Sequence, residues 1–152
     1  MPSLPEPEAR HRLTVARSGY LATASPDGAP HVVPMTFAVV DTAADTTVDT
    51  AVGTTIYSAV DAKPKRSPRL RRLANVAANP AASVLVDAWD EDWSQLWWVR
   101  ADGRGRLVGV GAERERAVAA LRAKYAQYLD HTLDSAVLAI EVDRINGWTA
   151  QL

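Results

Sequence analysis

The chain has 152 residues, a formal net charge of −1 and no cysteine. A length of this order predicts one domain, spanning the whole chain, that can bury roughly 68–70% of its unfolded surface without cross-links. The missing cysteines exclude disulfides, thiolate metal sites and cysteine nucleophiles, and the near-neutral charge argues against general nucleic-acid binding. The start, MPSLPEPEARHRL, carries acids and prolines where a signal peptide needs an apolar core. No apolar run approaches the ~18 residues of a membrane span. Both features point to a cytoplasmic address.

In chain order, Pro7 to Ser18 reads as a helix with a rough apolar stripe. Tyr20 to Ser25 reads as a strand, and Pro26-Asp-Gly-Ala-Pro30 as a tight turn in which Gly28 tolerates positive φ. His31 to Val40 is the returning strand. Pro34 interrupts it and lacks the N–H that a ladder needs, so the strand is an edge there, is bulged, or opens onto a ligand. Asp41 to Gly53 is a polar, threonine-rich excursion, and Thr54 to Val60 a further strand. Ser67 and Pro68 suit the cap and first turn of a helix that Asn79-Pro80 ends, with Leu70, Leu73, Ala74 and Ala77 as its apolar stripe. Ala81 to Trp89 is a near-continuously apolar, hence central, strand. After the acidic turn Asp90 to Ser94, Gln95 to Val110 is strand material with a bend at Asp102-Gly103 or at Gly105. Ala112 to Leu129 is a helix burying Val118, Leu121, Tyr125 and Tyr128 or Leu129. Ala136 to Val142 is the last long strand, and Ile145 to Thr149 follows it after a turn. Strands linked mostly by hairpins favour a mostly β, α+β architecture: an antiparallel barrel with peripheral helices.

The charge distribution says more than the total. Six of the 17 basic residues, Lys63, Lys65, Arg66, Arg69, Arg71 and Arg72, fall between Asp61 and Leu73. Lys63, Lys65 and Arg66 stand directly before the expected helix start, whose free N–H groups and partial positive charge suit a phosphate. The segment is either an anion pocket or a solvated basic helix, with Arg69, Arg71 and Arg72 as its solvent-facing members.

Tryptophan is the second signal. Trp89, Trp93, Trp97 and Trp98 cluster, with Trp148 apart. Trp89 and one of Trp97 and Trp98 read as buried in a barrel or dimer interface. Trp93 sits in the polar turn, where an exposed indole either covers a planar ligand or plays no such part. The glycines of GRGRLVGVG lack dinucleotide spacing. His11, His31 and His131 lack ligand spacing, so no metal site is expected. His31 reads as a structural histidine, with ligand contact as the alternative.

The runs YLATASPDGAPHVVPMTF and IYSAVDAKPKRSPRLRRLANVAANPAASVLVDAWDEDWSQLWWVRADGRGRL resemble the pyridoxamine 5′-phosphate oxidase-like superfamily. Within it they look like the small split-barrel oxidoreductases that depend on the deazaflavin coenzyme F420. The resemblance implies a split β-barrel homodimer with a cofactor at the interface. It places Lys63, Lys65 and Arg66 on the cofactor phosphate, Val33, Pro34, Met35 and Thr36 along the ring system, and Trp93 packed on the cofactor. The implied activity is hydride transfer from reduced F420 to a small, electron-poor acceptor, without a nominated catalytic side chain. The alternatives are an FMN-dependent oxidase or reductase, a non-enzymatic carrier of flavin or tetrapyrrole, and an interaction domain without cofactor. The excursion Asp41 to Gly53 is longer than a simple hairpin and reads as a flap or a loose turn.

Overall fold

The computed structural model describes residues 3–41, 53–59, 71–130, 133 and 136–151. The expected excursion, the cations Lys63, Lys65 and Arg66, and the cap residues Ser67 and Pro68 lie outside the described residues. The elements are α1 (Glu6–Val15), β1 (Gly19–Ala24), β2 (Pro30–Met35), β3 (Ala38–Asp41), β4 (Thr54–Ala59), α2 (Arg71–Ala78), β5 (Ala81–Ala88), β6 (Trp97–Val108), α3 (Ala112–Lys124) and β7 (Val137–Thr149). Short 3₁₀ turns occupy Trp93–Gln95 and Ala126–Leu129.

The seven strands form one antiparallel sheet in the order β2-β1-β5-β6-β7-β4-β3. Its two edges are β2 and β3, which are consecutive in the chain and separated only by Thr36 and Phe37. Three Cα–Cα steps span at most about 11 Å. A flat seven-stranded sheet holds its edges much further apart, so this one curls until they nearly meet. The result is a barrel split along one seam, the expected architecture. The expected strand His31 to Val40 is thereby corrected to two. Pro34 does lie on an edge strand, where its missing N–H costs nothing to the ladder.

Inward residues fill the barrel. Leu21, Phe37, Ile56, Val84, Val99 and Ile140 are fully buried, and α1 closes one end with Leu13. Alternation along β1 and β5 sends Leu21, Val84 and Val86 inward and leaves Tyr20 and Asp87 exposed. β5 is flanked by β1 and β6, as its apolar run predicts. Every residue of β4 is buried, because α3 covers the face that the barrel core does not. Gly28 takes φ 88° in the turn between β1 and β2, where the Ser25 carbonyl accepts from its N–H at 2.9 Å.

Other sequence expectations are corrected. The buried face of α2 is Asn75 and Val76, while Ala74 and Ala77 are exposed. The helix is rotated because Asn75 Nδ2 donates to Thr23 Oγ1 at 3.1 Å and Val76 seats on Gly105, whose missing side chain leaves room for it. The helix after Gly111 ends at Lys124, and Leu129 is exposed on the following 3₁₀ turn. β7 runs to Thr149 where a turn was expected, because β6 pairs with it on both sides of Asp143, the residue that the register skips. The bend in β6 falls at Asp102-Gly103, one of the two expected places, as a register shift.

α3 is locked to the barrel by charge. Arg106 grips Glu113 with two hydrogen bonds, 2.7 and 2.6 Å, and the Tyr57 hydroxyl donates to the same carboxylate at 2.8 Å. The Arg106 guanidinium is the main cause that holds the Glu113 carboxyl down at about 2. A carboxylate whose folded pKa is depressed stabilises the fold above its unfolded value of 4.5, and that contribution fades as pH falls towards about 2. Glu113→Gln is therefore expected to cost about 1 kcal/mol at neutral pH, discounted for solvent screening, and to flatten the loss of stability below pH 4.5. Urea midpoints at pH 7 and pH 3 check both effects.

Among the described residues, no helix is long and apolar enough to cross a membrane.

Candidate functional site

The seam organises the site. Thr36 lies just past β2, and its carbonyl accepts from Ser58 Oγ at 2.7 Å. Ser58 is the penultimate residue of β4, and the chain leaves β4 directly into the basic run. Thr36 Oγ1 lies 2.7 Å from the Tyr128 hydroxyl. The fold thus brings the Val33–Thr36 strand end against the last residues of β4. Along that strand Pro34 is exposed, Val33 half-buried and Met35 buried in the core. Met35 therefore borders the site through its backbone.

α2 carries the far end of the basic run. Arg71 is exposed as expected, but Arg72 is half-buried. Burial alone pulls the Arg72 guanidinium below its ordinary range, and among the described residues no carboxylate offsets it. A desolvated cation without a counter-charge favours an anion beside it. Arg72 is therefore half-buried, a correction to its reading as a solvent-facing residue.

Trp93 and Trp89 are 69% and 68% exposed. The expectation for Trp93 as an exposed indole holds, whereas Trp89 is not buried in the barrel. Their loop is nonetheless firmly built. Asp90 accepts from the Asp92 N–H at 2.8 Å, and Asp92 accepts from the Ser94 N–H and hydroxyl at 3.0 and 2.7 Å. These side-chain turns hold two apolar rings in water at fixed positions. Trp97 packs on the core with the Arg12 guanidinium 4.9 Å from its ring centroid, and Trp98 is half-buried under Arg100.

A cationic cluster stands behind the seam. Lys124 Nζ lies 4.2 Å from the Phe37 ring centroid and 5.4 Å from that of Tyr125, enclosed and without a hydrogen-bond acceptor among the described residues. Arg17 sits over the Tyr125 ring at 4.6 Å. The Tyr125 hydroxyl pins the seam: it accepts from the Phe37 N–H at 3.2 Å and is within reach of the Arg17 and Phe37 carbonyls at 2.9 and 3.1 Å. Burial first, and Arg17 second, bring the Lys124 amine down from 10.5 to about 8. Between those values the unfolded chain holds a proton that the folded chain releases, so stability rises with pH across that window. Below about pH 8 the enclosed ammonium is a standing cost. Lys124→Met keeps the ring contacts and is expected to stabilise the protein by about 1–2 kcal/mol at pH 7, with the gain shrinking by pH 10. Thermal melts across that range test it.

An open groove of about 570 Å³ lies on the opposite stretch of the sheet, lined by Ala22, Ala24, Ala82, Ser83, Asp102 and Arg144 among others. None of the expected site residues that are described lines it. Asp102 is fully engaged there by Ser83, Arg100 and Arg144. His31 is half-buried with Nδ1 unpartnered, and among the described residues no cluster could hold a metal.

Sequence reasoning missed Ser58, Arg72, Lys124 and Tyr128. Arg72 and Tyr128 were visible as residue types, but their facing was not. Nothing in the sequence signals that Lys124 turns inward.

The curled seven-stranded sheet, closed where the Val33–Thr36 strand end meets β4, defines a split-barrel protein. The pyridoxamine 5′-phosphate oxidase family matches residues 5–149, and the chain belongs to that family. No curated protein matches the sequence. Among solved structures, a conserved hypothetical protein, Rv2991 from Mycobacterium tuberculosis, aligns with a TM-score of 0.73 at 22% identity, over 97% of this chain and 86% of that one. An FAD-binding protein from Mesorhizobium loti aligns at 0.67 and 24%, over 95% and 94%. HutZ, the heme storage protein from Vibrio cholerae, aligns at 0.63 and 17%, over 95% and 93%. At these identities the structural likenesses carry the fold.

Proposed function

We propose that this protein binds a flavin-type cofactor along the seam, with the deazaflavin F420 as its first candidate. The observation that carries the reading is the seam itself, where the Thr36 carbonyl at the end of the Val33–Thr36 strand accepts from Ser58 Oγ, a few residues before the basic run in the sequence. Lys63, Lys65 and Arg66 hold the anionic tail, the strand end lies along the ring, and Trp93 packs on it from a partner copy. Arg72 fits such a group, since an anion beside it supplies the missing counter-charge. F420 carries a phosphate and an acidic oligoglutamate tail, and six cations within 61–73 match several negative charges better than one. When bound, the cofactor supplies a hydride for a small electron-poor acceptor. The chain's residues bind it, orient it and exclude water. A homodimer belongs to this reading and accounts for Trp89, Trp93 and Val32, apolar side chains left 61–69% exposed. A cytoplasmic address belongs to it as well.

The second reading is FMN or FAD in the same place. It is favoured by structural neighbours from Mesorhizobium loti and Mycobacterium smegmatis that are named FAD-binding proteins. A tetrapyrrole carrier is the third, since other neighbours are named for heme, and the half-buried His31 is its one candidate ligand from the sequence. Tryptophan quenching with F420, FMN, FAD and heme, at low and high salt, separates them. Micromolar or tighter F420 binding that weakens with salt supports the first. Equal or tighter binding of FMN or FAD transfers the function to a flavoprotein, and binding of heme alone makes it a carrier.

A further inference from the structure

Two cations crowd the back of the seam without a carboxylate among the described residues. Lys124 is held against Phe37 and Tyr125 with its amine enclosed, and Arg17 covers the Tyr125 ring. The arrangement is unfavourable in the free protein. Each charge raises the cost of the other, and burial keeps Lys124 near neutrality's edge at about 8. The same Tyr125 hydroxyl ties the cluster to both polar groups of Phe37, the residue after Thr36. The positive charge is thus anchored to the strand end along which the cofactor ring is placed above.

We propose that Arg17 and Lys124 are electrostatic positioning residues that make the seam prefer the reduced, more negatively charged form of its ring cofactor over the oxidised form. This rests on the cofactor reading above. Two-electron reduction accompanied by uptake of one proton leaves the ring with one negative charge more than before. A fixed cation nearby stabilises that added charge and raises the midpoint potential of the bound couple. The orphan amine then has a role that folding alone does not give it. Its field is uncompensated because no carboxylate among the described residues neutralises it.

The test compares affinities for the oxidised and two-electron-reduced forms of F420 and FMN, anaerobically at pH 7.5, for the wild type, Lys124→Met and Arg17→Met. Thermal melts of the free proteins confirm that both variants fold. The wild type is expected to prefer the reduced form, and each variant to lose about tenfold of that preference, ~30 mV in the potential of a two-electron couple. Retention of the wild-type ratio by both variants overturns the inference and leaves the cofactor reading standing. If the wild type binds neither cofactor in either form, the cofactor reading falls and this inference with it.

Discussion

Replacing Lys63 or Arg66 by alanine is expected to weaken cofactor binding by one to two orders of magnitude. Each residue supplies a charge-assisted contact to an anionic tail, roughly 1.5–3 kcal/mol apiece. The loss will appear in dissociation constants from tryptophan quenching and will be largest at low salt, where screening is weakest. Thermal stability without cofactor will change little or rise, because thinning a run of six cations within thirteen positions relieves repulsion. Unchanged affinity in both variants would remove the basic run from the site.

The second large effect is structural. Gly103→Ala places a methyl group 2.1 Å from the Glu141 carbonyl oxygen and 2.9 Å from its carbonyl carbon. The obstacle is backbone in the paired strand β7, which cannot rotate aside as a side chain can. Relief requires pulling β6 from β7 at the register shift beside Asp102. A cost of about 3 kcal/mol or more follows, at the upper end of overpacking penalties. Chemical denaturation will show it as a lowered midpoint. Gly105→Ala meets only Val76 side-chain atoms, the nearest at 2.9 Å, and is expected to cost less, since Val76 and α2 can shift. Equal stabilities for the two variants would contradict this account of the bulge.

Much of the fold was legible residue by residue. The Pro26–Pro30 turn and the helix and strand on either side of Asn79-Pro80 rest on local chemistry: φ freedom at Gly28, a missing N–H, β-branched runs. The errors fall where local signals are silent. The rotation of α2 follows from an Asn75–Thr23 hydrogen bond and a Val76–Gly105 contact between residues far apart in sequence. An alanine stripe is too weakly apolar to oppose them. The continuation of β7 to Thr149 follows from its pairing with β6, which overrides the local turn signal around Asp143. Trp89 lies outside the barrel because the alternation that turns Val84 and Val86 inward puts it on the outward side with Asp87.

The candidate site divides the same way. The sequence by itself determined the density of cations between Asp61 and Leu73, the proline within a strand and the indole in an acidic turn, since charge, a missing donor and an aromatic ring are properties of single residues. Only the tertiary structure decided that β2 and β3 meet at a seam, that Thr36 touches both Ser58 and Tyr128, and that Arg72 and Lys124 lose water without gaining a counter-charge among the described residues. Those facts depend on which groups the closed sheet brings together and which it shields from solvent. Both are set by the packing of residues that no local pattern connects.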